Sequence, residues 1–301
     1  MDVLISGSSG LIGNALRQAL QDAGHRPIRL VRAESPKEGD AVRWDPTGGR
    51  IEAAALEGIG AAVHLAGEPL FGRWTTAKKR RISASRVLGT RLLAESLAGL
   101  ERRPSVLLSG SAVGVYGSRG DEVLTEASEP GDGFLADVCQ EWEAAAAPAA
   151  EAGIRVVHLR TGLVQSRDAL LVRLQLPFFL IGLGGKIGSG QQWFPWISLE
   201  DHVRAMLHLL HREDAAGPVN LTAPNPARNA DYARTLGQVL KRPVFLTVPR
   251  FGVAAVFGRQ AADELAAASQ RAVPARLTDE LGFDFRHPHL EEALRAMFGA
   301  R

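Results

Sequence analysis

Apolar positions along the first half of the chain fall into two kinds of run. Residues 2–6 (DVLIS) and 61–67 (AAVHLAG) are short, nearly continuous and without helical period, and each gives way to small residues or glycine. Such runs predict strands buried on both faces. LIGNALRQALQDAG behaves differently: Leu11, Ile12, Ala15, Leu16, Ala19 and Leu20 share one helical face, and Gly24 marks the stop. PIRLVR, SVLLSGS and RVVHLRTG repeat the strand pattern, whereas ASRVLGTRLLAESLAGL and GFLADVCQEWEAAAA read as helices. Strand and helix alternating at this rhythm predict an α/β fold, a Rossmann-type doubly wound parallel sheet. Past about residue 165 glycine and proline become denser (IGLGGKIGSG, TAPNPA) and the strands shorten. The expected division is a nucleotide-binding domain over 1–165 and a smaller, interwoven substrate lobe over 166–301, with a helix-rich tail over about 249–297.

Composition narrows the function classes. With 301 residues, 46% of them hydrophobic, the chain can bury a large core. Lys plus Arg number 35 against 33 acids, and no long basic run occurs, so no nucleic-acid partner is expected. One cysteine, Cys139, excludes an intrachain disulfide and a thiolate metal cluster. His208 and His211 are spaced i, i+3, but no carboxylate or cysteine completes a ligand set, so no metal is predicted. The N-terminus opens on a strand without a leader pattern, and no uncharged apolar run is long enough to span a bilayer. LLVRLQLPFFLIGLGG comes closest, interrupted by Arg173, Gln175 and Pro177. These features predict a cytoplasmic protein with no membrane partner.

The loop GSSGLIG places Gly7, Gly10 and Gly13 between the first strand and the first helix. Glycine there permits a tight turn, close approach of backbone N–H groups to a pyrophosphate, and tight packing of helix on sheet. Ser9, Leu11 and Ile12 belong to the same loop and first helical turn, so this segment predicts dinucleotide binding. The second strand ends Val31-Arg32, and a base at that point favours the 2′-phosphate of NADP(H). Glu34, about 20 residues beyond the last loop glycine, is the argument for NAD.

The same segments resemble the extended short-chain dehydrogenase/reductases. Gly7-x-x-Gly10-x-x-Gly13 matches their cofactor loop, and His64-Leu65-Ala66-Gly67 matches the strand that runs under the cofactor riboses. SRVLGTRLLAE is similar to their Asn-x-x-Gly-Thr helix, and Ser109-Gly110-Ser111 with Val115-Tyr116-Gly117 resembles their serine strand and Val-Tyr-Gly turn. LRTGLV and FPWISLEDHVRAM match later segments. HLAGE, GSGQQWFPWI and the tail FGRQ…SQRAVPARLTDELGFDFRHPHLEEAL narrow the resemblance to an atypical group labelled nucleoside-diphosphate-sugar epimerase or cell-division-inhibitor-like oxidoreductase. Cofactor contacts implied by the resemblance are Leu65, Ala66, Gly67, Arg86, Ser109 and Arg160, and Arg81 lies five residues before Arg86 on the same helix. A homodimer is compatible with the resemblance, although no face for it is readable.

One family feature is missing. Relatives use a tyrosine to move the substrate proton and a lysine four residues later to lower its pKa. The helix that should carry them has Leu135 and Cys139, and no Tyr-x-x-x-Lys occurs anywhere in the chain. Three other groups are candidates for the chemistry. Ser111 is either a hydrogen-bonding partner of a substrate carbonyl or an ordinary strand-end serine. Glu68 follows the HLAG strand and is either a site carboxylate or an ion-paired loop residue, and Tyr116 either keeps a phenol near the cleft or packs. Lys186, Trp193 and Trp196 either line the substrate pocket or form an aromatic core cluster, and the acid-rich EVLTEASEPGDGF is either a loop across the pocket mouth or an ordinary solvated loop. The sequence therefore predicts an NADP(H)-binding oxidoreductase or epimerase-like protein acting on a carbonyl or hydroxyl substrate, a nucleotide sugar among the options. The alternative is a non-catalytic NADP(H) sensor.

Overall fold

The strands are apolar on both sides because both sides are covered. In the computed structural model, which describes residues 1–32 and 40–299, the chain begins β1 (Asp2–Ser6), α1 (Leu11–Asp22), β2 (Arg26–Arg32), β3 (Ala41–Asp45), β4 (Arg50–Ile51) and β5 (Ala61–His64). It continues through α2 (Thr76–Ala98), β6 (Val106–Ala112), β7 (Val123–Leu124), α3 (Phe134–Ala144), α4 (Ala147–Glu151) and β8 (Arg155–Thr161). Then come β9 (Leu163–Gln165), α5 (Leu170–Leu180), β10 (Gly185–Ile187), β11 (Trp193–Phe194), β12 (Trp196–Ser198), α6 (Leu199–His211) and β13 (Gly217–Leu221). The last elements are β14 (Ala227–Arg228), α7 (Asn229–Leu240), β15 (Leu246–Val248), α8 (Arg250–Phe257), α9 (Arg259–Ala261), β16 (Arg271–Ala272) and α10 (Leu290–Phe298).

Eight strands form the main sheet in the order β13-β8-β6-β5-β1-β2-β3-β4. Every pairing is parallel except β3 with β4 at one edge. Alternation within β1 shows how the layers form. Val3 and Ile5 enter one core with Leu16 and Leu20 of α1 and Met206 and Leu209 of α6, while Leu4 points the other way, among Leu93 and Leu97 of α2. α1 stops as its sequence suggests: Gly24 adopts φ +77°, and His25 N–H reaches back to the Leu20 carbonyl at 2.8 Å. α2 begins earlier than its apolar pattern indicates, because the Thr75 hydroxyl caps it by accepting from the Lys78 N–H.

The expected boundary near residue 165 is crossed repeatedly. β13 supplies the edge strand beside β8, and α6 shares its core with α1. Leu277, Leu281, Phe283 and Phe285 from the tail close the same core. What remains as a separate lobe is a cluster around Phe179, Trp196, Tyr232, Leu236 and Leu294. The interweaving is thus deeper than the division at 165 and 166 implies.

Two histidines are sealed into this framework. His64, at the end of β5, has its Nδ1 2.6 Å from the Ser6 hydroxyl, and burial pulls its pKa down to about 4. His202 on α6 has Nε2 3.1 Å from the Thr161 hydroxyl, and burial pulls it to about 3. Both bind a proton near pH 6.5 when unfolded and much lower when folded, so stability is full above about pH 6.5 and drains as pH falls towards 4. The contribution is on the order of a few kcal/mol for each ring. Urea midpoints measured between about pH 7 and 5 should fall with pH, and His64→Gln and His202→Gln should each remove up to one proton from that slope. Midpoints that stay flat across this range, or slopes unchanged in both variants, would contradict burial of neutral rings.

Candidate functional site

The strand order fixes where a ligand can enter. From β1 the chain winds outward through β2 and β3, and β5, β6, β8 and β13 fill the other side, so the switch point lies between β1 and β5. Gly7 leaves β1 at φ +67°, and a Cβ there would stand 2.9 Å from the backbone of Leu65 and Ala66. A Cβ on Gly13 would lie 2.3 Å from the Gly7 carbonyl oxygen. Neither position accepts a side chain, so the turn, the helix and the strand ends close on one another. Gly10 is the N-cap of α1, no side chain caps that end, and its first turn carries no acid. Leu11 and Ile12 are half-buried beneath the turn, and Ser9 is exposed at its tip. A bare helix N-terminus behind a glycine turn presents backbone N–H groups and the positive end of a dipole, which suits a phosphate. The three glycines therefore fit a dinucleotide.

The facing wall is held from beneath. Ser6 Oγ accepts from the N–H groups of Leu65 at 3.0 Å and Ala66 at 3.2 Å, which leaves its own proton for His64 Nδ1. Next along, the Arg86 guanidinium packs under Gly67, where a Cβ would sit 3.2 Å from its Cζ. Arg86 Nη1 donates to the carbonyls of Glu68 at 3.0 Å and Ile82 at 3.1 Å, and its guanidinium lies 5.1 Å from the Trp142 ring centre. Arg86 thus sits beside the glycine wall, while Arg81 is exposed and pairs with Glu68 at 3.3 Å. Arg32 is exposed at the end of β2, where the 2′ position of an adenosine ribose would lie, and Glu34 falls outside the described residues.

Several candidates turn out to be committed elsewhere. Glu68 Oε1 accepts from Lys78 Nζ at 2.8 Å, and this bond, with Arg81, holds its carboxyl below the usual range. It is an ion-paired turn residue, the plainer of its two readings. Tyr116 is fully buried: its hydroxyl donates to Asn220 Oδ1 at 2.7 Å and accepts from Arg160 Nη1 at 3.0 Å, and burial raises its pKa. No phenol faces the cleft. Ser109 is also fully buried, and its Oγ makes no hydrogen bond among the described residues. A cofactor cannot touch it without rearrangement of the sheet.

Arg160 is not at the cofactor wall either. It forms a fork with Glu143, Nε to Oε1 at 2.9 Å and Nη2 to Oε2 at 3.0 Å. Burial works against its charge, but these bonds and Tyr116 keep its pKa above the ordinary guanidinium value. Glu143 Oε1 accepts in addition from Ser111 Oγ at 2.6 Å. Burial pushes the Glu143 carboxyl up, but Arg160 and Ser111 outweigh it, so the group stays ionised at neutral pH. Sequence reading missed Glu143 as a chemical group; its partners lie 32 and 17 residues away and belong to two different strands.

On α3, Leu135 and Cys139 pack against Gly114. Burial, with Glu143 nearby, pushes the Cys139 thiol up to about 12, so no thiolate is present at neutral pH. The start of α3 is capped from the tail: Glu264 accepts from the N–H groups of Phe134 and Leu135, at 3.3 and 2.8 Å. The acid-rich segment expected to cross the cleft mouth is pinned instead. β7 pairs with β16, Gly131 N–H bonds the Val115 carbonyl at 2.9 Å, and Glu126 is buried with its carboxylate on the Asn220 N–H at 2.9 Å.

The substrate-pocket candidates separate. Trp196 is a core residue, 1% exposed, with Nε1 on the Asn225 carbonyl at 3.1 Å, so it forms no pocket wall. Trp193 lies between the guanidiniums of Arg228 and Arg271, 4.5 and 4.7 Å from its ring centre, and donates to Asp121 at 2.9 Å. Beside it is a cleft of about 330 Å³, whose lining includes Asp121, Ile187, Ser189, Gln192, Arg228 and Arg250. Lys186 is half-buried on β10 next to this cleft. His208 bonds the Leu281 carbonyl and His211 stacks on His25, and no group of residues suited to a metal ion occurs among the described residues.

Comparison with known proteins agrees with the fold. Residues 3–221 match the model of the NAD dependent epimerase/dehydratase family, and residues 248–297 match a domain of unknown function, DUF1731. The epimerase family protein Mb2239 of Mycobacterium bovis is 41% identical over 97% of this chain and 96% of its own length. The human epimerase family protein SDR39U1 is 35% identical over 98% of this chain and 99% of its own. A crystal structure of that human protein (isoform 2) with NADPH superposes with a TM-score of 0.90 at 33% identity, covering 99% of both chains. With a family model spanning more than half its length and full-length relatives above 30% identity, the chain belongs to the NAD-dependent epimerase/dehydratase family.

Proposed function

We propose that the protein binds NADP(H) at the switch point and acts as an oxidoreductase or epimerase-like enzyme on a carbonyl or hydroxyl substrate. The observation that carries the reading is the cradle of Gly7, Gly10 and Gly13 before an uncapped helix, with Arg32 at the end of β2. Gly7 to Gly13 would hold the pyrophosphate on backbone N–H groups, and Arg32 would grip a 2′-phosphate. The human relative's structure with NADPH supports the choice of NADP(H). Leu65 to Gly67 would flank the riboses, and Arg86 supplies a fixed cation beside Gly67, on the side where α3 offers Cys139 in place of lysine. A bound nicotinamide supplies hydride chemistry; the chain must supply the proton path.

Ser111 and Glu143 are the groups in this structure suited to that path. Ser111 is at the carboxyl end of β6, and its proton points at a Glu143 carboxylate held by Arg160. The Ser111 oxygen keeps lone pairs for a substrate hydroxyl. As that hydroxyl gives its proton to Ser111 Oγ, Ser111 passes its own to Glu143, and the reverse transfer protonates a carbonyl oxygen. The cleft beside Trp193, with Arg228 and Arg250 in its lining, suits an anionic portion of the substrate, such as the diphosphate of a nucleotide sugar. A second reading has a specific observation in its favour. Leu135 and Cys139 replace the usual pair and Tyr116 is buried, which describes a protein that binds NADP(H) and reports its redox state without turnover.

Calorimetric titration should show binding of both nucleotides with clear preference for NADPH. Arg32→Ala should weaken NADPH by about tenfold or more and leave NADH nearly unchanged. Equal losses would remove Arg32 from the site. In a hydride-transfer screen over carbonyl compounds, Ser111→Ala and Glu143→Gln should each lower kcat by about 100-fold or more while NADPH affinity stays within about twofold. Turnover that survives both variants would exclude the relay, and tight NADPH binding with no turnover across the screen would favour the sensor.

A further inference from the structure

The large apolar side chains left exposed on the molecule are concentrated in one region. Apart from Met1, Leu88 and Val123, all of them lie within residues 170–183 or 245–256. Phe251 is 78% exposed, Phe245 76% and Ile181 69%, and Phe178, Leu183 and Val256 stand out beside them. The two segments are joined to each other. Arg242 Nε donates to the Leu180 carbonyl at 2.7 Å, Gly182 abuts Pro243, Gly185 pairs with Leu246 and Gly188 N–H bonds the Val248 carbonyl. α8 follows directly and has no buried residue. Isolated exposed apolar groups need no explanation, but their concentration in two joined segments does.

The charge carried by these segments has one sign. Residues 169–187 and 237–262 contain Arg173, Lys186, Lys241, Arg242, Arg250 and Arg259 and not one Asp or Glu, in a chain that is nearly neutral overall. The acids that border these two windows are Asp168, Asp263 and Glu264, of which Asp263 pairs with Arg250 at 3.0 Å and lies 4.0 Å from Arg259. A two-fold dimer through this face would set the patch against itself and bring bases against bases. An anionic, apolar surface is the complementary partner. No helix here is long and apolar enough to cross a membrane among the described residues, so such contact would be peripheral.

We infer that this face of the C-terminal lobe docks on an anionic lipid surface. Phe178, Ile181, Phe245, Phe251 and Val256 enter the headgroup and upper acyl region, while Arg173, Lys241 and Arg242 meet lipid phosphates. The expectation of no membrane partner rested on the lack of a spanning segment, and it does not cover this mode of contact. Pro177 and Arg173, which break the apolar run as a span, are no obstacle to a helix lying at the interface.

Co-sedimentation of the full chain with vesicles of phosphatidylcholine alone, or mixed with phosphatidylglycerol, tests the inference. Binding should require phosphatidylglycerol and weaken several-fold as salt rises from about 0.05 to 0.5 M. A Phe178→Ser, Phe245→Ser, Phe251→Ser variant should lose binding by about tenfold or more, with its thermal midpoint and NADPH affinity preserved because the removed rings are exposed. Absence of pelleting with either vesicle, pelleting indifferent to the three substitutions, or equal binding to neutral vesicles would overturn it. So would a concentration-dependent dimer in sedimentation velocity that the same variant abolishes, since the patch would then belong to a second copy.

Discussion

Ser6 carries more of this architecture than its size suggests. Its hydroxyl, fully buried at the end of β1, accepts from two backbone N–H groups of the neighbouring turn and donates a hydrogen bond to a histidine that burial keeps neutral. The bond set fixes where Leu65 and Ala66 run, and those two backbones are what Gly7 must pass at a distance no side chain tolerates. From this contact follow the close approach of α1 to the sheet, the open N-terminus of that helix and the position of the cofactor cradle. A charged His64 would have no counter-ion here, and its proton would compete for the oxygen that the two N–H groups use.

The chemistry on the other side of the sheet has been reorganised around a different charge. Relatives in the wider group place a cation on the helix that here carries Cys139. In this chain Arg86 reaches the glycine wall from α2, and a second guanidinium, Arg160, is spent on a half-buried carboxylate. Removing Arg160 alone would leave the half-buried Glu143 with Ser111 as its side-chain hydrogen-bond partner among the described residues, which is why Arg160 reads as part of the framework and Glu143 as the group it makes available. The tail joins the same framework: Glu264 caps α3, and β16 pins the loop that follows β6. The C-terminal segment is therefore built into the site it adjoins.

What was legible in the sequence follows from what is local. Strands buried on both faces write continuous apolar runs, so β1, β5, β6 and β8 could be read directly, as could the glycines whose neighbours lie within one turn. β13 was not, because GPVNL is short and carries a proline and an asparagine, and its place in the sheet depends on β8, more than fifty residues earlier. Trp196 and Trp193 look equivalent in FPWI and GQQW, yet one is core and the other is held between two arginines from β14 and β16. Tyr116, Arg160 and Glu68 have the residue types of a site, and only their partners show that the first two hold the interior and the third a surface turn. Exposure is likewise a property of the assembled lobe, so the apolar tips at 245–256 could not be told from core residues by composition.

Amide hydrogen exchange with and without NADPH tests the central claim most directly, since it reports which backbone the nucleotide covers. The account predicts new protection at residues 7–13 and 65–67, with the cleft lined by Asp121, Gln192 and Arg228 left unchanged. Protection confined to that cleft, or none at the glycine turn, would contradict a dinucleotide site at the switch point between β1 and β5.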